Sequence, residues 1–130
     1  MLTRVFFLGV LLALPTPALF AQAAMEMFIP IGDSHGVSNI YSIIGKIATV
    51  SEQHRSLTVS DSSGVTYLVR IPKEVSIWLD RSKGQGKNEV GSLADLEAGR
   101  TVEVKYKESP PHGTSVTADW IKVEMAPATR

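Results

Sequence analysis

The chain has 130 residues, with 13 Lys and Arg against 13 Asp and Glu. That balance excludes the broad basic field that steers nucleic acid or an anionic membrane surface. The absence of cysteine excludes disulfides and thiolate metal sites, and the length suits one hydrophobic core.

Residues 1–23 carry the order of a secretory signal. Arg4 precedes an apolar run, Val5 to Leu14, then Pro15 and Pro17 break any helix, and small residues follow at Ala18, Ala21, Ala23 and Ala24. Ala21-Gln22-Ala23 fits a small-x-small cleavage rule, placing the cut after Ala23 or after Ala21. The run is well short of the ~20 apolar residues that span a bilayer. With no Cys behind it, a lipid-modified N-terminus is not expected. Removing Arg4 leaves 12 positive against 13 negative residues, a net of −1. The expectation is a periplasmic or secreted chain with no transmembrane anchor once processed.

Residues 24–39 form an irregular arm, since Pro30, Gly32, Asp33, Ser34 and Gly36 are loop residues without sustained period. From residue 40 to 125 the pattern is mostly that of strands, and 126–130 is a tail. Residues 40–50 are β-branched with Gly45 in the middle, which predicts a bulge or sharp bend there. Leu57 and Val59 share one face of a second strand. Asp61-Ser62-Ser63-Gly64 is a tight hairpin turn. Val65, Tyr67, Val69 and Ile71 alternate with polar neighbours in a third strand, inward side chains on a period of two. Pro72 interrupts it, and Val75, Ile77 and Leu79 resume the alternation. Residues 80–91 then read as a mobile, Gly-rich surface loop with Arg81, Lys83 and Lys87 available to an anionic partner.

Ser92 to Gly99 is a short helical signal. Ser92 caps it, Asp95 reaches back, Leu93 and Leu96 face the core, and Gly99 stops it in the left-handed conformation. Val102, Val104 and Tyr106 face inward from the next strand. In the last strand the inward phase changes from Val116 and Ala118 to Ile121, Val123 and Met125. One extra residue near Asp119 or Trp120, a β-bulge, accounts for that change. Five strands with one short helix between the third and fourth predict an all-β, five-stranded OB-like Greek-key barrel.

The residues Gly45-Lys46-Ile47, Leu57-Thr58-Val59 and Ser92 to Val104 (S-L-A-D-L-E-A-G-R-T-V-E-V) resemble a family of small exported bacterial OB-like domains of unknown function. The resemblance covers about residues 40–125 and implies fold and export, with no catalytic residues. The architecture is also similar to that of bacterial envelope stress proteins and of periplasmic copper and silver chaperones, OB barrels that bind Cu(I) through Met, His and a neighbouring Trp. Here Met25, Met27 and His35 lie in the arm and Trp78 and Trp120 near or in strands. The chaperones' Met-x-Met inside a barrel strand is missing.

His35, His54 and His112 fall in separate loops, without the spacing that grips a metal from one element. No Gly-x-Ser-x-Gly elbow is present, and Gly84-Gln85-Gly86-Lys87 lacks the spacing of a phosphate loop. The expectation is therefore no catalytic residues, no metal and no cofactor. The function expected is a non-enzymatic extracytoplasmic binding or interaction module for an unknown small molecule or envelope protein, with nucleic acid not expected. A periplasmic copper-type carrier and a small hydrolase are the alternatives. The candidate binding surface is Arg55, Arg70, His112 and Trp120, on or beside the strands and loops that OB-folds use.

Overall fold

A computed structural model describes residues 25–33, 42–106 and 113–126. The signal segment, His35, His112 and residues 127–130 lie outside the described residues. Seven strands form one sheet: β1 (Ser42–Ser51), β2 (Ser56–Asp61), β3 (Thr66–Arg70), β4 (Ser76–Asp80), β5 (Glu89–Val90), β6 (Thr101–Tyr106) and β7 (Ser115–Glu124). Their order is β3-β2-β1-β6-β7-β4-β5, and a parallel β3–β7 pairing closes the first five into a barrel. The ten-residue β7 is long enough to use one edge twice. Residues 115–117 pair with β3, and residues 120–124 pair with β4. Closure removes most of the unpaired edge that would otherwise template aggregation.

The third sequence segment is thus two strands. Pro72 has no N–H to give a ladder, so the chain leaves β3, turns, and re-enters the sheet as β4 farther along β7. The loop after it also corrects the expectation. Arg81 pairs with Glu89 at 2.8 Å and Lys83 with Glu124 at 3.0 Å. Glu89–Val90 adds a short outer strand to β4. Two of the three loop cations therefore have carboxylate partners.

Among the described residues the helices are short. The expected helix after Ser92 is a single 3₁₀ turn, Leu93–Asp95, lying between β5 and β6. Its chemistry is as read: the Asp95 carboxylate accepts the Ser92 N–H at 2.8 Å, Leu96 is buried, and Gly99 has φ +89. It stops after one turn because the Gly99 N–H donates to the Ile47 carbonyl and the Ile47 N–H to that of Arg100, tying the chain back to β1.

The barrel interior is filled from alternate positions. Ile47, Leu57, Val59, Val69, Val102, Val104, Val116 and Ile121 are all at most 2% exposed. The phase change in β7 is a bulge at Asp119, for Lys105 opposes Trp120 while Tyr106 opposes Ala118. The irregularity in β1 falls at Ala48, between Ile47 and Thr49, and not at Gly45. Gly45 serves close approach instead. It is flanked by β2 and β6, and a Cβ there would run into the Ser60 carbonyl and sit 2.9 Å from a Val59 methyl. Alanine normally gains about 0.5–1 kcal/mol over glycine within a strand. Here Gly45→Ala is expected to lose about 1–3 kcal/mol, as overpacking does. Urea unfolding reads the sign directly, and a stabilised variant would contradict the close approach.

Candidate functional site

Two surfaces carry the polar chemistry. The first is the outer face of β4, β7 and β6, where period two would send side chains to water. Asp80, Lys122 and Glu103 point outward from the three strands, with Lys122 beside both Trp78 and Glu103 in register. All three are buried, Lys122 completely. Residues 25–33 cover them. The Ile31 N–H donates to Asp80 Oδ2 at 2.9 Å and the Gly32 N–H to Glu103 Oε2 at 3.3 Å. Lys122 Nζ donates to the Ile29 carbonyl at 2.7 Å and lies 3.9 Å from Glu26 Oε1. Buried Asn88 donates to the Met27 carbonyl and accepts the Arg81 N–H. A loop segment with no ladder of its own therefore has its backbone groups met by side chains of the sheet.

Trp78 and Trp120 lie on this same face, ring centroids 5.5 Å apart and planes tilted by 38°. Lys122 Nζ sits 4.8 Å from the Trp120 ring centroid, within cation–π range. Trp120 is only 7% exposed. Its expected place on an open binding surface is corrected: the bulge at Asp119 turns it to the outer face, where it is buried against Trp78 and Lys122.

Burial pushes the Lys122 ammonium below its ordinary value, against the pull of Glu103, Glu26, Asp80 and Asp33. Burial likewise raises Glu103, countered by the Gly32 N–H and Lys122. Burial also acts upward on Asp80, but the Ser82 hydroxyl and the Ile31 and Ser82 N–H groups outweigh it and leave the carboxyl low. The two carboxylates thus give opposite acid responses. As pH falls through the raised Glu103 value, the folded state takes up that proton before the unfolded one does, and stability rises. Below about pH 4, the unfolded Asp80 protonates first, and its contribution is lost as pH falls through its lowered folded value. Urea midpoints against pH are expected to show a shallow maximum in mild acid. Glu103→Gln is expected to remove the rise and Asp80→Asn to reduce the fall, the rest of which includes Asp61, whose carboxyl the Ser63 hydroxyl holds low.

The second surface is an open groove of about 400 Å³, lined by His54, Arg55, Arg70, Ile71, Pro72 and Thr117. It is built where the β1–β2 turn meets the end of β3 and the start of β7. Arg55 closes the turn at φ +47 and ties it to the strand end: the Ile71 N–H donates to its carbonyl at 2.8 Å, Nε donates to the Ile71 carbonyl at 3.0 Å and Nη2 to that of Pro72 at 3.2 Å. Arg70 is exposed and has no carboxylate partner among the described residues. The structure therefore brings Arg55 and Arg70 together and separates Trp120 from them; His112 lies outside the described residues. His54 and Thr117 join the groove. The signal for His54 was its position next to Arg55 in a turn, while Thr117 is placed by the parallel pairing Arg70↔Thr117, which no local pattern encodes.

Ser51 Oγ lies 3.0 Å from His54 Nδ1. It also accepts the His54 backbone N–H at 3.3 Å, so the pair belongs to a serine-stabilised turn. Among the described residues no carboxylate lines the groove to orient the imidazole. Among the described residues no group of three His, Asp or Glu is arranged to hold a metal, and no helix is long and apolar enough to cross a membrane.

No family model matches the chain, and the comparison with curated proteins returns no match. Among solved structures the chain is similar to one described as the crystal structure of Ag(I)CusF, at 12% identity and a TM-score of 0.40, over 63% of this chain and 93% of that one. A likeness of that size says nothing about ligand or mechanism. The resemblance carried by Ser92 to Val104 has no family match behind it.

Proposed function

We propose that this chain is an exported, non-enzymatic binding module on an OB-like Greek-key barrel, periplasmic or secreted, whose ligand surface is the groove at Arg55 and Arg70. The observation that carries the reading is the contrast between two faces. The arm caps Asp80, Glu103 and Lys122 on the outer face, while His54, Arg55, Arg70 and Thr117 converge from three elements on an open groove. OB-folds bind along strands two and three and the loops joining strands one to two and four to five. The β1–β2 turn and the end of β3 supply this groove in the corresponding place. Its volume falls within the usual range for small-molecule sites.

The copper-type alternative needs an indole face and soft ligands in reach of one ion. Lys122 already occupies the cation position over Trp120, which works against that reading. A hydrolase reading loses its Ser51–His54 pair to the turn.

The test is a fragment screen on the isotopically labelled exported protein, read by backbone amide shifts. Hits are expected to move residues 54–55, 70–71 and 117. Hits confined to the Trp78–Trp120 face, or none at any of these positions, would overturn the reading.

A further inference from the structure

We propose that the groove is an oxyanion site, in which Arg55 and Arg70 hold a carboxylate or phosphate group beside Pro72. This rests on the groove being the ligand surface.

Four observations carry it. First, among the described residues the lining holds two guanidinium groups and an imidazole and no carboxylate, in a chain whose charges balance overall. Second, Arg55 is held rigidly. Of its five N–H donors, Nε and one on Nη2 are committed to the Ile71 and Pro72 carbonyls. The remaining ones keep a fixed direction, the condition under which a planar fork recognises an oxyanion with little loss of side-chain freedom. Third, Arg55 adopts φ +47, where glycine or asparagine would be less strained. Strain of this kind gathers at ligand clamps, where the surrounding structure over-determines the residue. Fourth, the other guanidinium on that rim, Arg70, is solvent-facing and free of carboxylates among the described residues, so a bound anion need not displace a partner there. Pro72, half-buried at the rim, adds an apolar contact beside these donors, while the Ile71 side chain turns into the core.

The test titrates the exported protein with benzoate, inorganic phosphate and benzyl alcohol, following arginine Nε–H and backbone amide resonances. Benzoate, phosphate or both are expected to shift the Nε–H of Arg55 and Arg70 with the amides of Ile71 and Thr117. Which anion acts separates a carboxylate ligand from a phosphate one. Arg70→Gln, which touches no internal contact, is expected to weaken that binding about fivefold to tenfold, as loss of a charge-assisted hydrogen bond does. If benzyl alcohol moves these residues as strongly as benzoate and Arg70→Gln changes neither, the oxyanion assignment fails while the groove remains a binding surface. If no probe moves any groove residue, both fall.

Discussion

Replacing Lys122 by methionine is expected to destabilise the fold by about 3–5 kcal/mol, the cost of removing one partner from a buried ionic cluster. Lys122 is fully buried, and its ammonium faces Glu103, Asp80 and Glu26 while donating to the Ile29 carbonyl. Methionine fills the stem's volume but leaves Glu103 buried without its cation and the Ile29 carbonyl without its donor. Against a total stability of about 5–15 kcal/mol for a domain of this kind, the loss is a large part. The prediction has an internal control. In the Lys122→Met background, Glu103→Gln removes the stranded charge, so the double variant is expected to be less destabilised than the sum of the singles, by about 0.5–3 kcal/mol. Urea unfolding of the four proteins gives that coupling. Additive losses would mean that the two groups do not face one another across β6 and β7.

Trp120→Ala is expected to cost about 3–5 kcal/mol, in the range of large aromatic truncations. Arg70→Ala is expected to stay within about 0.5 kcal/mol of the parent, like other exposed substitutions. Trp120 packs against Trp78 and carries Lys122 over its ring, so its removal opens a cavity between them. Arg70 ends β3 with its side chain in solvent. The pair separates structure from binding. Trp120 variants should lose stability, and Arg70 variants should lose only ligand. A stable Trp120→Ala protein with impaired ligand binding would return that residue to the binding surface.

Periodicity revealed the barrel because burial on one side of a strand is written locally. Leu57 and Val59, or Val102 and Val104, need no knowledge of their partners to be placed inward. The β7 bulge was legible for the same reason, as a break in phase at Asp119. What local pattern does not encode is a second layer. Glu103 and Lys122 alternate correctly with their apolar neighbours, and so read as solvated charges. Only the docking of residues 25–33, roughly 70 to 90 positions away in sequence, buries them. Trp120 was misplaced by the same blindness. The groove was half legible: Arg55 and Arg70 follow from the strand-and-turn reading, since Ser56↔Arg70 is an ordinary hairpin register. Thr117 depends on the β3–β7 closure. The separate strand β5 was hidden in a loop because two residues are too few to show a period.

Residues 25–33 cap the outer face at Asp80, Glu103 and Lys122, and the arginine groove is the open, positively charged surface. Solvent paramagnetic relaxation, measured with an anionic and a neutral soluble agent, tests this contrast most directly. Weak relaxation is expected at the Trp78 and Trp120 indole N–H groups with either agent, and strong relaxation at residues 54–55 and 70, greater with the anionic agent. Indoles relaxed as strongly as the groove, with no difference between the agents at Arg55 and Arg70, would contradict it.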